Sequence, residues 1–439
     1  MLRFACLSLM FLTCGQVDAQ SARLRPTELD TITFAAFPPS FPRQEPDFSD
    51  SIRARVERGD LRESLSYHYY LLAGRYNLVN EATELELEPN WGLDTLEVAP
   101  RQALDAYTLV DAQEYIAGAA EDKQLLIITE AHTKPEHRVF TRCLLDELYA
   151  AGYRHLGLEN VMPARGSTAS IPMDSLLQQR GYPVQSALAG IYPSEPEYAN
   201  LLRHAVELGF QLFAYEHNGS SDSERDLQQA EHIITYQRAH PGEKIVCHGG
   251  WSHAMETKTE KWPGSGSYWL AYHYRTLTGD DPLTVYQDAM NEKVAPMQAS
   301  SPYYAALRDR MRPGDLPQVL VDSAGLTWKG PHGNLPYDIV TVTPPLNSRE
   351  GRGGWQDWHC DQRAYTDLNL AALLAEQKPT LSYPVIVELR GRYESRIATP
   401  IYAAEIFAPS DAPTLSVWDE AYRMRIRDAS GGETEVIVE

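Results

Sequence analysis

The sequence predicts an α/β protein: a parallel-sheet core with flanking helices, a helical N-terminal region and a β-rich C-terminal appendage. Three observations carry this reading. From residue 123 to about 250, short apolar runs of strand length alternate with amphipathic segments of helix length. That alternation is the mark of βαβ units with right-handed crossovers. Four of the runs end in an acidic residue or a histidine: LLIIT-Glu130-Ala131-His132, HLGL-Glu159, QLFAY-Glu216-His217 and KIVC-His248, with His253 five residues on. Beyond residue 345 the helical spacings fade, and YPVIVEL and EVIVE read as strands.

The elements follow in order. MLRFACLSLMFLTCGQVDA has a basic start at Arg3, an apolar stretch and a small-residue exit at Val17-Asp18-Ala19. It reads as a secretory signal over residues 1–19, cleaved after Ala19, and the destination is periplasmic or secreted. The stretch is shorter than the roughly 18 apolar residues of a membrane span, and no later run reaches that length. Phe11-Leu12-Thr13 makes a poor lipobox before Cys14. Residues 20–48, with FPPSFPRQEP, read as an irregular arm. Residues 49–120 carry spacings near 3.6 in SIRARVERGDLRESLSYHYYLLAGRY and RQALDAYTLVDAQEYIAGAA, and read as helical.

Residues 121–345 form the α/β core. After LLIIT, Thr133 can cap a helix, Pro135 suits its first turn and Glu136 completes a capping box. Val139, Phe140, Cys143, Leu144, Leu148 and Tyr149 form its apolar face, and Gly152 ends it. HLGLE is the second strand, followed by a long loop from Met162 to Tyr192. Ser194-Glu195-Pro196-Glu197 opens the next helix, QLFAYE is the third strand, and Ser221-Asp222-Ser223-Glu224 caps a helix ending at Pro241-Gly242. KIVCHGG is the fourth strand, and PLTVYQ, QVLVD and YDIVTVT are further candidates. Residues 346–439 are the β-rich appendage.

Composition narrows the partners. The chain has 39 basic and 60 acidic side chains, a net charge of −21. Such a surface disfavours nucleic acid and anionic membranes and leaves a small-molecule substrate as the expected partner. Beyond the leader stand Cys143, Cys247 and Cys360. An odd, sparse set is no disulfide scaffold, and Cys143 and Cys247 read as small buried hydrophobes.

Ligands of an open parallel sheet bind beyond the carboxyl ends of its strands. The four polar tails therefore converge on one crevice, where the sheet fixes each side chain yet leaves it facing a ligand. Glu130 and His132 suit a base or metal ligand there. Glu136, His137 and Arg138 lie on the first turn of the following helix, and Arg138 can hold a carboxylate or a developing oxyanion. Glu159 can orient an imidazole or a water. Arg225 can neutralise Glu216. Gly249-Gly250 lets the backbone approach a ligand closely and brings His248 and His253 near the crevice, although their spacing is no helix-borne zinc signature. Each single residue has a plainer role as a cap, a solvated helix start or a core histidine; the set of four favours function. No Gly-x-Ser-x-Gly elbow, P-loop or dinucleotide fingerprint is visible, and Gly264-Ser265-Gly266-Ser267 follows no strand.

ITEAHTKPEHR, LGLEN, AYE followed by SERDLQQAEHI, and KIVCHGGWSHAME together resemble the erythromycin-esterase, ChaN and Tiki superfamily over about residues 122–290. The resemblance implies a parallel α/β core with a Glu/His motif after the first strand, an acid after the second and a late histidine. Glu130 and His132 match the first motif, Arg138 a following arginine, Glu159 the acid and His253 the late histidine. Esterase-like members activate water to open a lactone, Tiki-like members are metal-dependent proteases and ChaN-like members bind haem. Here Thr-Glu-Ala-His is one residue shorter than the esterase motif.

The expectation is an exported hydrolase of an ester or lactone, with catalytic residues Glu130, His132, Arg138, Glu159 and His253. His132 acts as base on water, Glu130 and Glu159 orient it, and His253 with Arg138 stabilises the oxyanion. Glu136, His137, Glu216, Arg225 and His248 line the substrate site, with walls from the 161–193 loop and the N-terminal helices. A haem protein using the same histidines with Tyr192 and Tyr215 is one alternative. The other is a protease with Glu130, His132 and His253 holding divalent manganese, cobalt or zinc.

Overall fold

The computed structural model describes residues 43–82, 104–164, 172–187, 189–217, 222–261, 264–292, 301–349, 351–377 and 381–439. The expected leader, Cys14, most of the arm and the Ser221 cap lie outside the described residues.

The core is one eight-stranded sheet. Its strands are β1 (Tyr107–Asp111), β2 (Leu125–Glu130), β3 (Tyr153–Leu158), β4 (Gln211–Ala214), β5 (Lys244–Gly250), β6 (Leu283–Met290), β7 (Gln318–Asp322) and β8 (Ile339–Val342). They lie in the order β1-β7-β8-β6-β2-β5-β3-β4. From β8 to β4 every neighbour is parallel, and β7 runs antiparallel to both β8 and β1. The centre is β2, with β5 and β6 on either side. All its residues are buried, because helices cover both faces of a parallel sheet. Leu126 and Ile128 enter one core with Val139, Phe140 and Leu144, while Leu125 and Ile127 enter the other with Phe213, Ile233 and Met255. The two-residue period of a strand makes that division.

The helices flanking the site are α1 (Ala112–Ala120), α2 (Pro135–Ala150), α3 (Pro196–Leu208) and α4 (Asp222–Ala239). The N-terminal region is helical over Ser49–Glu57, Glu63–Leu72 and Tyr76–Ala82. It does not stay helical to residue 120. YTLVD is strand β1, an edge strand in register with β7 from Tyr107 opposite Asp322 to Asp111 opposite Gln318. A short β-branched segment takes its conformation from such a partner, which lies far along the chain. Asp111 then caps α1 by accepting from the Glu114 N–H.

The capping box expected at α2 is absent. Lys134 occupies the N-cap with no side-chain bond, and Pro135 alone marks the start. At α3 the cap is Glu195, whose Oε2 accepts the Tyr198 N–H at 2.7 Å. Two strands of the C-terminal region were legible; it holds the antiparallel sheet β11-β10-β13-β14 and the pair β12-β9. Here β9 is Tyr365–Asn369, β10 Val385–Gly391, β11 Tyr402–Ile406, β12 Thr414–Trp418, β13 Tyr422–Asp428 and β14 Glu433–Val438. This region has its own core around Val387, Leu389, Met424 and Ile426.

Cys143 is not a free buried hydrophobe: it forms a disulfide with Cys360, 217 positions away, a pairing that no spacing rule reveals. The bond ties α2 to the C-terminal region, beside the Arg142 Nη1 to Asp361 Oδ2 bond of 2.8 Å. A disulfide fits an extracellular setting. No described helix is long and apolar enough to cross a membrane. Closing a loop of this length removes about 5 kcal/mol of chain entropy from the unfolded state. A Cys143→Ala/Cys360→Ala double variant is therefore expected to lose about 3–5 kcal/mol in denaturant unfolding.

Candidate functional site

The carboxyl ends of β2, β3, β4 and β5 meet in one polar crevice. Glu130, the last residue of β2, is buried and held from three sides. Arg138 Nε donates to its Oε2 at 2.7 Å and Arg138 Nη2 to its Oε1 at 2.9 Å. His248 Nε2 lies 3.0 Å from Oε2, and His132 Nδ1 lies 3.0 Å from Oε1. Burial opposes the charge on Glu130, but Arg138 and the two imidazole contacts outweigh it and hold the carboxyl well below its usual range.

Arg138 stands in the first turn of α2, behind the crevice. Its Nη1 donates to Glu195 Oε2 at 2.8 Å and its Nη2 to the His132 carbonyl at 2.9 Å. The guanidinium is thus committed to two carboxylates and a carbonyl. It organises the site and does not reach a substrate oxyanion, the role expected of it. His248 bonds Thr141 through Nδ1 at 3.2 Å and Glu130 through Nε2, so it is a core histidine and not a substrate contact. His137 also turns away from the crevice: its Nδ1 accepts the Ala131 N–H at 3.0 Å and pins the loop that carries His132.

His132 is the accessible member, with its side chain 18% exposed. Its Nδ1 faces Glu130, which fixes the Nδ1–H tautomer and leaves Nε2 as a base. The ring lies against the backbone of Gly250, where a Cβ would stand 2.4 Å from His132 Cε1. A Cβ at Gly249 would stand 2.5 Å from Tyr215 Oη, so both glycines are required by close approach. Trp251 follows at φ 50°, the one non-glycine residue with positive φ among those described. Such strain persists where surrounding packing enforces it, and it gathers at functional sites. The Trp251 ring is 5.3 Å from His132, and its buried Nε1–H has no partner among the described residues.

A second cluster faces the first. His253 Nδ1 meets Asp226 Oδ1 at 2.5 Å, and its Nε2 meets Glu159 Oε1 at 3.0 Å. Burial disfavours the imidazolium, but the two carboxylates prevail and raise its pKa to about 9. His253 is therefore a cation with both N–H groups engaged. Glu159 also accepts Arg225 Nη2 at 2.5 Å and the Gly250 N–H. Arg225 donates Nε to Glu216 Oε1 at 2.9 Å and is 30% exposed. Among the described residues its Nη1 approaches only the His253 ring, at 3.5 Å. Arg225, and not Arg138, is the cation that a bound oxyanion can reach.

Several participants escaped the sequence reading. Asp226 was hidden inside a helix pattern beside Arg225. His68 reaches the site from Glu63–Leu72, its ring 5.0 Å from Tyr192, which in turn lies 4.9 Å from His132. Burial and then the neighbouring His132 and Arg138 lower its pKa to about 3, so it is neutral. Tyr192, from the long loop, stands beside the His132 ring. Glu136 lies apart from the His132 cluster, in an adjacent cavity.

The donors expected for a metal do not converge. Glu130 is engaged by Arg138 and His248, His253 by two carboxylates, and no group of three or more His, Cys, Asp or Glu among the described residues is set to hold an ion.

No family model and no curated protein matches the chain. Its matches among solved structures are distant. The type III effector HopBA1 has 13% identity and a TM-score of 0.32, covering 54% of this chain and 96% of that one. ChaN of Campylobacter jejuni, a structure of cofacial haem binding, has 10% identity and a TM-score of 0.28, covering 42% and 91%. The C-terminal region of Pasteurella multocida toxin, with its thiol-protease-like triad, has 11% identity and a TM-score of 0.30, covering 83% and 50%. Likeness at this level leaves the superfamily named above a matter of motif resemblance.

Two outcomes follow from the geometry. Arg138→Met leaves Glu130 and Glu195 buried without their cation, and is expected to cost about 3–5 kcal/mol in urea unfolding. The folded-state pKa of His253 lies above the ordinary imidazole value. Its stabilisation is therefore complete below about pH 6.5 and is lost as pH rises through about 9. The melting temperature is expected to fall over that window, and His253→Gln to flatten the fall.

Proposed function

We propose that this protein is an exported hydrolase of esters or lactones in which His132 activates water. The observation that carries the reading is the Glu130–His132 pair at the end of β2. A buried carboxylate held by Arg138 and His248 fixes one imidazole nitrogen at 3.0 Å, and the other faces the crevice over Gly250. A histidine oriented by an acid through one ring nitrogen presents the other as a general base.

In this mechanism, water at His132 Nε2 gives up a proton as its oxygen attacks the carbonyl carbon. Negative charge gathers on the carbonyl oxygen, within reach of the Nη1 donors of Arg225. Collapse breaks the bond to the alkoxy oxygen, which takes the proton back from His132. The products are a carboxylic acid and an alcohol. His253 acts at one remove: it holds Glu159, the carboxylate that the Arg225 guanidinium meets.

The alternatives draw less support. A haem reading has the histidines with Tyr192 and Tyr215 as axial or stacking groups; of these, the Tyr215 hydroxyl is buried and donates to the His248 carbonyl at 3.1 Å. A thiol mechanism needs a thiolate, and burial pushes the Cys247 thiol up, away from ionisation. A Tiki-like metal site needs Glu130 and His253 released from their ion pairs.

The test is hydrolysis of a panel of para-nitrophenyl esters and macrocyclic and small lactones by the wild type and His132→Ala. His132→Ala is expected to lose about 10²–10⁴-fold in kcat/KM on any substrate turned over. Unchanged turnover in His132→Ala would remove the proposal.

A further inference from the structure

We infer that the seam between α3 and the C-terminal region is a proton-operated latch, which Glu197 holds shut as an uncharged acid and loosens on ionising. Glu197 stands in the first turn of α3 and is 7% exposed. Its Oε1 accepts the Trp355 Nε1–H at 3.1 Å, from the turn Gly354–Asp357, and its Oε2 lies 3.4 Å from Asn200 Nδ2. Both donors are neutral. Asn200 Nδ2 also donates to the Ile401 carbonyl at 3.0 Å, and the Trp355 ring packs edge-on against Tyr76 at 4.9 Å. The carboxyl thus sits where α3, the C-terminal region and the helix Tyr76–Ala82 meet.

The cations around Glu197 are committed elsewhere. Arg142, from α2, acts on it, but its Nη1 donates to Asp361 Oδ2 at 2.8 Å and lies 3.3 Å from Tyr365 Oη. Arg203, farther along α3, pairs with Glu394 at 2.7 Å. Glu195, two positions back, holds the charge that Arg138 meets and opposes a second one. Tyr76, Tyr365 and Tyr402 complete the titratable surroundings. A buried carboxyl with neutral donors and no ion pair among the described residues is costly in its charged form. Burial, with Glu195 adding to it, outweighs Arg142 and pushes the Glu197 pKa up to about 7.

Solvent has a place to enter. A cavity of about 40 Å³ runs beside Glu197 to the partly exposed Gln356 and Ser416. One water needs roughly 10–15 Å³. Ionisation near neutral pH therefore draws water into the seam or turns Arg142 away from Asp361, and either change loosens the C-terminal region from α3. The same turn of α3 begins at Glu195, the second carboxylate of Arg138, so the latch bears on the crevice through that pair. Its bearing on turnover rests on the hydrolase reading; the latch itself does not.

The folded-state pKa of Glu197 lies above the ordinary glutamate value. Its stabilisation is therefore complete below about pH 4.3 and is lost as pH rises through about 7. The test is urea unfolding of the full chain at about pH 5 and about pH 8, wild type against Glu197→Gln, which stays uncharged. The unfolding constant of the wild type is expected to rise about a hundredfold relative to that of the variant over this window. Hydrogen exchange of the wild type, corrected for the intrinsic rate, gives a second reading. Peptides covering 196–203 and 353–360 are expected to exchange about tenfold faster at pH 8 than at pH 6, with peptides of β2 unchanged. A wild-type to variant ratio that does not move with pH overturns the inference, as does seam exchange that is flat across neutral pH. If Glu197→Gln does not fold, the wild-type exchange profile decides alone. Failure of the hydrolase reading appears separately, as turnover that survives His132→Ala.

Discussion

The site depends on one buried ion pair, between Glu130 and Arg138. A carboxylate removed from water at the end of a central strand is unstable unless a cation and hydrogen bonds replace its hydration. Arg138 meets it with two N–H groups. That guanidinium in turn needs a second carboxylate, Glu195, and a carbonyl, that of His132. Removing any one of these groups leaves another buried and uncompensated, so the cluster stands or falls together.

That dependence reaches across the sheet. Arg138 is set by the first turn of α2, and Glu195 caps α3, so the ion pair fixes two helices against the end of β2. The disulfide and Arg142 then tie the same α2 to the C-terminal region. His248 reaches Glu130 from β5, the strand paired with β2 residue for residue from Leu125 opposite Ile245 to Glu130 opposite Gly250. Parallel register therefore places the acid beside Gly250, and the glycine gives His132 the room to lie over it. The second cluster repeats the logic with opposite signs: His253, a buried cation, sits between Asp226 and Glu159.

Much of this was legible in the sequence because strand tails are local signals. An apolar run that ends in an acid or histidine places that side chain at the sheet's rim, and Glu130, His132, Glu159, Glu216 and His253 all lie there. What a residue does once it arrives is not local. Arg138 and His253 were expected to face an oxyanion, but their partners, Glu195 and Asp226, come from other segments and take up their donors. His137 and Glu136 sit on the same helical turn as Arg138, and only the angle of that turn decides that one pins a loop and the other faces a separate cavity. The edge strand Tyr107–Asp111 and the Cys143–Cys360 bond were hidden because each is made by a partner over 200 positions away. His68 was hidden because nothing in a helical pattern distinguishes an imidazole that meets the site from one that meets solvent.

The central claim is a hydrogen-bonding pattern: His132 with an Nδ1 proton facing Glu130, and His253 doubly protonated between its two carboxylates. Nitrogen-15 NMR of histidine-labelled protein, assigned with His132→Ala and His253→Gln, reads that pattern directly across a pH titration. The account predicts the Nδ1–H tautomer for His132 and a His253 ring that keeps both protons until about pH 9. A His132 proton found on Nε2, or a His253 that titrates at the ordinary imidazole value, would contradict it.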